Sequence, residues 1–262
     1  RETLNQLNIP RTYFICGNFL ESMNCLYGKE RLKNAFEPSN SLVEIGDHTY
    51  THDIVKKIPT RPDKIPMKTN EIVKQYAQNS FLFRDTFGEG FNVRGYRTPL
   101  GHFNGLDKAY KLTDTLKRLN IPYVSSDLRD KNSSLNPKLI DAEGKIRQPY
   151  RYKNGLLEIP SIGWQDTAFS RKSSTKLFEK PPKNYNEILL YFELLFSRAN
   201  DLAKLCSRDI FIGLVAHPFD VTFYDEKGNF FKDIYIIAKN LKCTFHSYKE
   251  VANHYNTPKI QI

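Results

Sequence analysis

Short apolar runs alternate along the chain with longer stretches in which apolar residues recur at helical spacing. The strand-like runs are Thr12–Cys16, Leu42–Ile45, Asn92–Arg94, Tyr123–Ser125, Leu156–Ile159 and Ile210–Ala216. The helix-like stretches are Asn18–Phe36, Thr69–Phe87, Leu106–Leu119, Tyr185–Leu205, Phe231–Leu241 and Ser247–Tyr255. Because strands that alternate with helices usually pair in parallel, the pattern predicts an α/β fold of β/α units that closes, or partly closes, into a single barrel.

Polar side chains with chemical potential follow several of the predicted strands. His48 and His52 follow the second strand, Arg97 the third, Asp127 the fourth, and His217 ends the last one. In parallel barrels the reactive groups sit on loops at the carboxyl ends of the strands, so these residues are the candidates for a common site. Neither an internal repeat nor a long linker divides the chain, and residues 1–262 are predicted to form one domain.

The two histidines are the most informative pair. They lie four residues apart, after an apolar run and Gly46. That spacing would place both rings on one face of a first helical turn, where they can share one Zn²⁺ or a neighbouring transition metal. Asp47 would cap this helix, and its position next to His48 is poor for binding the same ion. A catalytic metal also needs a third protein ligand, which this segment does not offer.

The other candidates each have an ordinary structural alternative. Arg97 stands in a segment punctuated by Gly and by Pro99, interpreted as a rigid loop, where a guanidinium can fix a carboxylate; a plain surface arginine is the alternative. His217 ends an apolar run and can act as a general acid, or be a core histidine. Trp164, the one tryptophan, can wall a pocket or simply pack, and Asp166 can orient a neighbour.

Charge and cysteine content add little specificity. The formal net charge of +10 is compatible with an anionic partner and equally with a solvated lysine-rich surface. The basic stretch Arg171–Lys183 is interpreted as a loop without the features of a nucleic-acid reader, so no nucleic-acid partner is predicted. No apolar run is long enough to span a bilayer. The four cysteines form no CxxC pair, and Cys16 and Cys243 are interpreted as buried thiols.

The order of the motifs resembles the polysaccharide deacetylase family, which is NodB-like and also called carbohydrate esterase family four. The motifs on which this resemblance rests are HisThrTyrThrHis at 48–52, ArgThrPro at 97–99 and LeuValAlaHis at 214–217. The segment Asn8–Gly17 resembles the family's Thr-Phe-Phe strand, and the resemblance extends from residue 1 to about residue 255. It implies a distorted (β/α) barrel and a metal-dependent enzyme that removes N-acetyl groups from a sugar or polysaccharide.

The resemblance also implies a role for each matching residue. His48 and His52 become metal ligands, with zinc or another divalent transition metal as the cofactor. Arg97 orients the catalytic base, and His217 protonates the leaving amine. Those four are joined by further, looser matches: Asp127 as the partner of the arginine, and a substrate-contacting set of Leu214, Trp164 and Pro99. For the family, the expected location is the cell envelope or the exterior, and the expected partner is a glycan. The basic surface is compatible with an anionic glycan.

The sequence departs from the family at its first motif. The Asp-Asp pair that supplies the base and the third metal ligand is absent from this chain, which begins within the helix that follows this motif and leads to the Thr-Phe-Phe strand. The interpretation favoured here is that the first strand lies on residues ahead of Arg1. Two other functions stay open: an amide hydrolase acting on a small cyclic amide with the same fold, and a non-catalytic glycan-binding relative. Oligomeric state is not predicted.

Overall fold

The computed structural model describes residues 1–164, 166, 169, 182, 184–225 and 227–256. Its strands are β1 Arg11–Ile15, β2 Val43–Asp47, β3 Tyr96–Phe103, β4 Tyr123–Arg129, β5 Tyr150–Arg151 and β6 Leu157–Glu158. Its helices are α1 Glu2–Gln6, α2 Gly17–Tyr27, α3 Lys29–Phe36, α4 Thr69–Phe87, α5 Tyr110–Arg118, α6 Tyr185–Cys206, α7 Pro218–Val221, α8 Phe230–Asn240 and α9 Tyr248–Asn256. Apart from residue 182, the basic stretch at 171–183 lies outside the described residues.

The strands form one six-stranded sheet in the order β1-β2-β3-β4-β6-β5. The pairs β1–β2, β2–β3 and β4–β6 are parallel, and β5 adds to β6 in the antiparallel direction. Helices follow the parallel strands, as expected for crossover connections. The predicted α/β class is therefore confirmed, whereas closure of the sheet into a barrel stays a prediction.

Several elements differ from the sequence-based expectation, three of them for a clear physical reason. Strand β3 begins at Tyr96 rather than at Asn92, because the buried run starts only at residue 95. The helix predicted over 18–36 is two helices, broken where Gly28 takes φ 77°. The predicted strand at 210–216 makes only one bridge, between Ser161 and Gly213, among the described residues. There the Gln148 side chain bonds both the N–H and the C=O of Phe211 and takes the place of a neighbouring strand.

The chain divides into two compact units. The first unit comprises Arg1–Ile9, Leu128–Gln148 and Pro160–Phe245, and the second comprises Pro10–Asp127, Pro149–Ile159 and His246–Ile262. That residues 1–262 act as one catalytic domain stays a prediction. No helix in the described ranges has the length and apolarity that crossing a bilayer requires.

Each unit has its own apolar core. In the second unit one cluster lies between the sheet and helices α4 and α5, with Ile72, Tyr96, Leu112, Leu116 and Val124 among its members. Another lies under α2 and α3 and includes Ile15, Leu20, Leu32, Ile45 and Phe83. In the first unit α6 and α8 pack through Ile188, Phe192, Phe196, Phe230 and Ile234. The two clusters of the second unit include residues of β1, β2, β3 and β4, and so they fix the strands from which the polar residues project.

Candidate metal site and general acid

A row of side chains crosses the carboxyl ends of β1 and β2 and the beginning of β3 in the second unit. Strand register fixes this row, because Ile15 pairs with Asp47. The pairing continues one residue further: the His48 N–H donates to the Ile15 carbonyl at 3.1 Å, and the next cross-strand bond joins the Gly17 N–H to residue 49 at 3.1 Å. Residues 16 and 48 occupy the next paired position of the two strands. Because paired residues of neighbouring strands point to the same face, Cys16 and His48 lie on the same side of the sheet.

The segment that carries the two histidines is a loop, so the prediction of a first helical turn was wrong. Thr49 and His52 adopt φ values of 63° and 62°, in the left-handed region that a right-handed helix excludes. The buried Asp47 carboxylate drives this turn, because its Oδ1 accepts the Thr49 N–H at 2.7 Å. The Thr49 hydroxyl in turn accepts the His52 N–H at 3.0 Å and fixes the second histidine.

Side chains of helix α4 bind the loop that carries the histidines by hydrogen bonds. Gln75 Oε1 accepts the N–H groups of Tyr50 and Thr51 at 2.9 and 3.2 Å. Asn79 Nδ2 donates to Asp47 Oδ2 at 2.9 Å. The packing is tight, because a Cβ on Gly17 would lie 1.9 Å from the Asn79 side-chain oxygen. Side-chain hydrogen bonds to α4 thus replace the helical ladder that the sequence suggested.

The two imidazoles and the Cys16 thiol form a compact donor group. The ring centroids of His48 and His52 are 4.8 Å apart, at an interplanar angle of 76°. One ligand atom each from Cys16, His48 and His52 lies within 4.8 Å of the other two. His48 Nδ1 is 2.9 Å from the Arg97 carbonyl oxygen, which fixes the Nδ1–H tautomer and directs Nε2 outward as a ligand. Sulfur and imidazole donors fit zinc and similar transition metals.

Burial governs the protonation of the groups beside these donors. Desolvation raises the pKa of Asp47 to about 7, against the opposing hydrogen bonds from Asn79 and the Thr49 backbone. Burial, and then the negative charge of Asp47, raise the pKa of the Cys16 thiol to about 12. Without a metal, Cys16 is therefore a protonated thiol at neutral pH.

Arg97 and Pro99 lie within strand β3, which corrects the interpretation of this segment as a loop. Both are buried, and further along the same strand Leu100 and Gly101 have φ values of 60° and 59°. Arg97 Nη1 donates to Ser125 Oγ at 2.7 Å, and the guanidinium lies 5.8 Å from the ring centre of Phe14. Arg97 is thus held in place near the start of β3, beside the end of β2.

Asp127 lies at the end of β4 and is 3 % exposed. Tyr150 Oη donates to Asp127 Oδ2 at 3.5 Å. The Asp127 N–H donates to Glu158 Oε1 at 2.9 Å, and Glu158 also accepts the Ser126 N–H at 2.6 Å. Tyr152 Oη donates to Glu158 Oε2 at 2.5 Å. Glu158 therefore fixes the backbone that presents Asp127; pairing of Asp127 with the arginine stays a prediction.

We expect Glu158 to give the protein a pH-dependent stability. Burial, and then the charge of Asp127, raise the pKa of Glu158 from 4.5 to about 7. The folded state then holds a proton that the unfolded state has lost, so the contribution is full below pH 4.5 and disappears as pH rises to about 7. At about 1.4 kcal/mol per pH unit, this amounts to roughly 3 kcal/mol.

The Glu158→Gln variant should show a flatter dependence when the free energy of unfolding in urea is measured across this window. Glu143→Gln, on an exposed turn, is the matched control and should keep the wild-type slope. Lys56 and Asp127, two other titratable groups close to Glu158, are unchanged in the wild type and in both variants, so they do not account for a difference in slope. An equal slope in wild type and Glu158→Gln would contradict the assignment.

The first unit carries a second cluster around His217. His217 is the N-cap of α7, and its Nδ1 lies 3.1 Å from Asp166 Oδ1 and 3.6 Å from Asp220 Oδ2. Asp166 also accepts the His217 backbone N–H. Both carboxylates are buried, whereas the His217 side chain is 43 % exposed. The carboxylates hold the Nδ1 edge of the ring, so the Nε2 edge is the proton-donating one.

The two apolar candidates of this unit are well packed. Leu214 is half-buried against the α6–α8 core. Trp164 is 7 % exposed, and it packs with Leu135, Phe169 and Tyr191. Its backbone N–H donates to Tyr191 Oη at 2.7 Å. That either residue contacts a substrate stays a prediction.

Sequence reasoning missed three residues of these clusters. Cys16 was interpreted as an inert thiol, although its place directly after a predicted strand was a usable signal. Glu158 was visible only as an acidic residue inside an apolar run. Asp220 follows His217 by three residues, a helical spacing that the following Pro218 made plausible.

The structure thus combines a parallel α/β sheet with groups able to hold a metal and to transfer a proton. Residues 2–123 match the family model described as polysaccharide deacetylase. Over these residues, which include the motifs at 48–52 and 97–99, the match confirms the predicted resemblance and supports a deacetylase-type hydrolase, for which a carbohydrate substrate is fitting. A search of the curated proteins found no match for this chain.

Several solved structures are similar in fold. A GH57-type branching enzyme from Pyrococcus horikoshii aligns with TM-score 0.53 and 10 % identity, over 91 % of this chain and 49 % of that chain. A GH57 branching enzyme from Thermococcus kodakaraensis gives 0.55 and 10 %, over 91 % and 52 %. A CE4 esterase from Streptococcus mutans gives 0.49 and 15 %, over 94 % and 77 %. The chain spans about half the length of the two branching enzymes, and at these identities the likeness concerns the fold alone.

Proposed function

We propose that this chain is a metal-dependent hydrolase that removes N-acetyl groups from a sugar or polysaccharide. The observation that carries the proposal is the pair His48 and His52, whose rings meet at the carboxyl end of β2. They lie inside the segment that matches the polysaccharide deacetylase family. The reaction consumes one water and yields acetate and a free amine.

The donor set fits a borderline transition metal, and Zn²⁺ is the proposed cofactor. His48 and His52 would hold the ion through imidazole nitrogens, with His48 oriented by its bond to the Arg97 carbonyl. When bound, such an ion polarises a carbonyl oxygen and makes a water molecule more acidic, toward a pKa of ~7. An ion held by neutral imidazoles keeps most of its positive charge for this purpose.

The other candidates act through position and charge. Arg97, fixed by Ser125, supplies a permanent positive charge at the strand end that orients a carboxylate base, and Asp127 is its proposed partner. His217, held at Nδ1 by Asp166, donates the Nε2 proton to the departing amine. Leu214, Trp164 and Pro99 are the proposed substrate contacts.

Acetate release from an N-acetylated oligosaccharide tests this function. We expect the purified full-length protein to release acetate, to lose this activity after dialysis against a chelator, and to regain it with Zn²⁺ but not with Mg²⁺, because imidazole ligands favour the former. Acetylated peptidoglycan fragments, chitin oligomers and a small cyclic amide are assayed in parallel.

The outcomes separate the three candidate functions. Acetate from the glycans supports the proposal. Hydrolysis of the cyclic amide alone would replace it with the small-amide hydrolase. Retained metal and glycan binding without any turnover, in protein of native stability, would reduce the protein to a glycan-binding relative.

A further inference from the structure

We propose that Cys16 joins His48 and His52 as a ligand of this metal centre, which gives the centre a Cys–His–His donor set with a thiolate. The proposal rests on the proposed function for the participation of His48 and His52. It adds a ligand that the motif comparison does not assign and a class of metal that follows from it.

Strand register is the first support. The backbone bonds between β1 and β2 continue past the strand ends, so residues 16 and 48 occupy adjacent positions on one face. The Cys16 Sγ is 3.4 Å from the His48 carbonyl oxygen, which places the sulfur beside the loop rather than in the core below it. The position of Cys16 therefore depends on the five-residue pairing of β1 with β2 and not on a long flexible side chain.

Distances are the second support. Zinc–sulfur and zinc–nitrogen bonds of about 2.3 and 2.1 Å in a tetrahedron separate the ligand atoms by about 3.3–3.6 Å. The donor atoms of Cys16, His48 and His52 lie within 4.8 Å of one another. Closing the difference needs about an ångström, which rotation of the exposed His52 ring can supply.

The ligand set also defines the type of centre. Three protein ligands leave one tetrahedral position open, which is the arrangement of catalytic zinc sites rather than structural ones. A thiolate among the ligands selects zinc, cobalt or copper over magnesium, calcium and manganese. On binding, the S–H bond breaks, a sulfur–metal bond forms, and the thiol proton passes to solvent.

Cobalt substitution tests the sulfur directly. Metal-free protein is titrated with Co²⁺, and a thiolate ligand produces a sulfur-to-cobalt charge-transfer band in the near ultraviolet. We expect this band in the wild type and in Cys243→Ser, the matched control with another half-buried cysteine. Cys16→Ser should lose the band and bind Zn²⁺ at least ~10-fold more weakly, because even indirect partners of a ligand are worth that much.

Two further measurements distinguish the loss of a sulfur ligand from misfolding of the Cys16→Ser variant. Cys16→Asp offers an oxygen ligand at the same place and should retain one metal per chain without the band. X-ray absorption of the zinc-loaded wild type should show a sulfur neighbour at about 2.3 Å, with no variant needed. A shell of nitrogen and oxygen alone, or an unchanged cobalt spectrum in Cys16→Ser, would overturn the proposal.

The acetate assay on the same samples keeps the two proposals apart. A sulfur-ligated metal in a protein that releases no acetate would leave the Cys16 assignment standing and remove the deacetylase function. Acetate release by a protein whose metal has only nitrogen and oxygen neighbours would support the deacetylase function and overturn the Cys16 assignment.

Discussion

Replacing His217 with alanine should lower turnover by ~10²–10⁴, the usual cost of losing a general acid. The departing amine would then leave without a positioned proton. Metal content should not change, because His217 is not among the proposed ligands. The measurement is acetate release under saturating substrate, with His254→Ala on an exposed face of α9 as the control. Turnover within about threefold of wild type would remove His217 from the mechanism.

Asp166→Asn separates the chemical role of His217 from a structural one. The amide still occupies the space beside His217 Nδ1 but carries no charge, so it neither favours the imidazolium nor fixes the correct tautomer. We expect turnover to fall while KM stays near its wild-type value, with an altered pH profile. A loss that appears only in stability would assign Asp166 to the fold instead.

The second large effect is expected for His48→Ala, which should abolish metal retention during purification. One imidazole ligand is lost, and so is the ring that the Arg97 carbonyl orients. Activity should fall to the level of chelator-treated wild type. Elemental analysis of the purified variant is the measurement, and unchanged metal content would refute the ligand role.

Metal-linked stability gives an independent reading of the same variant. A ligand at 100 times its dissociation constant stabilises the folded state by about 2.7 kcal/mol. Zinc should therefore raise the melting temperature of the wild type and of His254→Ala, and leave His48→Ala unchanged. Stabilisation of His48→Ala by zinc would show that the ion binds elsewhere.

The fold was largely predictable because it depends on local hydrophobic pattern. Helix α4 was predicted at its observed bounds, Thr69–Phe87, since its apolar residues recur at helical spacing and Gly88 follows. Strands β1 and β2 were found within one or two residues. The errors fell where a local rule was overridden: at Gly28 inside a helical pattern, and at Phe211, whose partner is a side chain.

The candidate chemistry divides along the same line. The sequence by itself identified His48, His52, Arg97 and His217 as candidates, because each comes shortly after a predicted strand and a local pattern is enough to show this. The match over residues 2–123 includes His48, His52 and Arg97.

Tertiary structure alone decided which side chains meet. Cys16 and His48 are 32 residues apart, and only the β1–β2 register brings them together. Asp166 reaches His217 across 51 positions. The turn that presents His52 follows from the buried Asp47 and its bond to α4, and the helix expected from spacing gave way to it. Such contacts depend on strand pairing and desolvation, which a local pattern does not record.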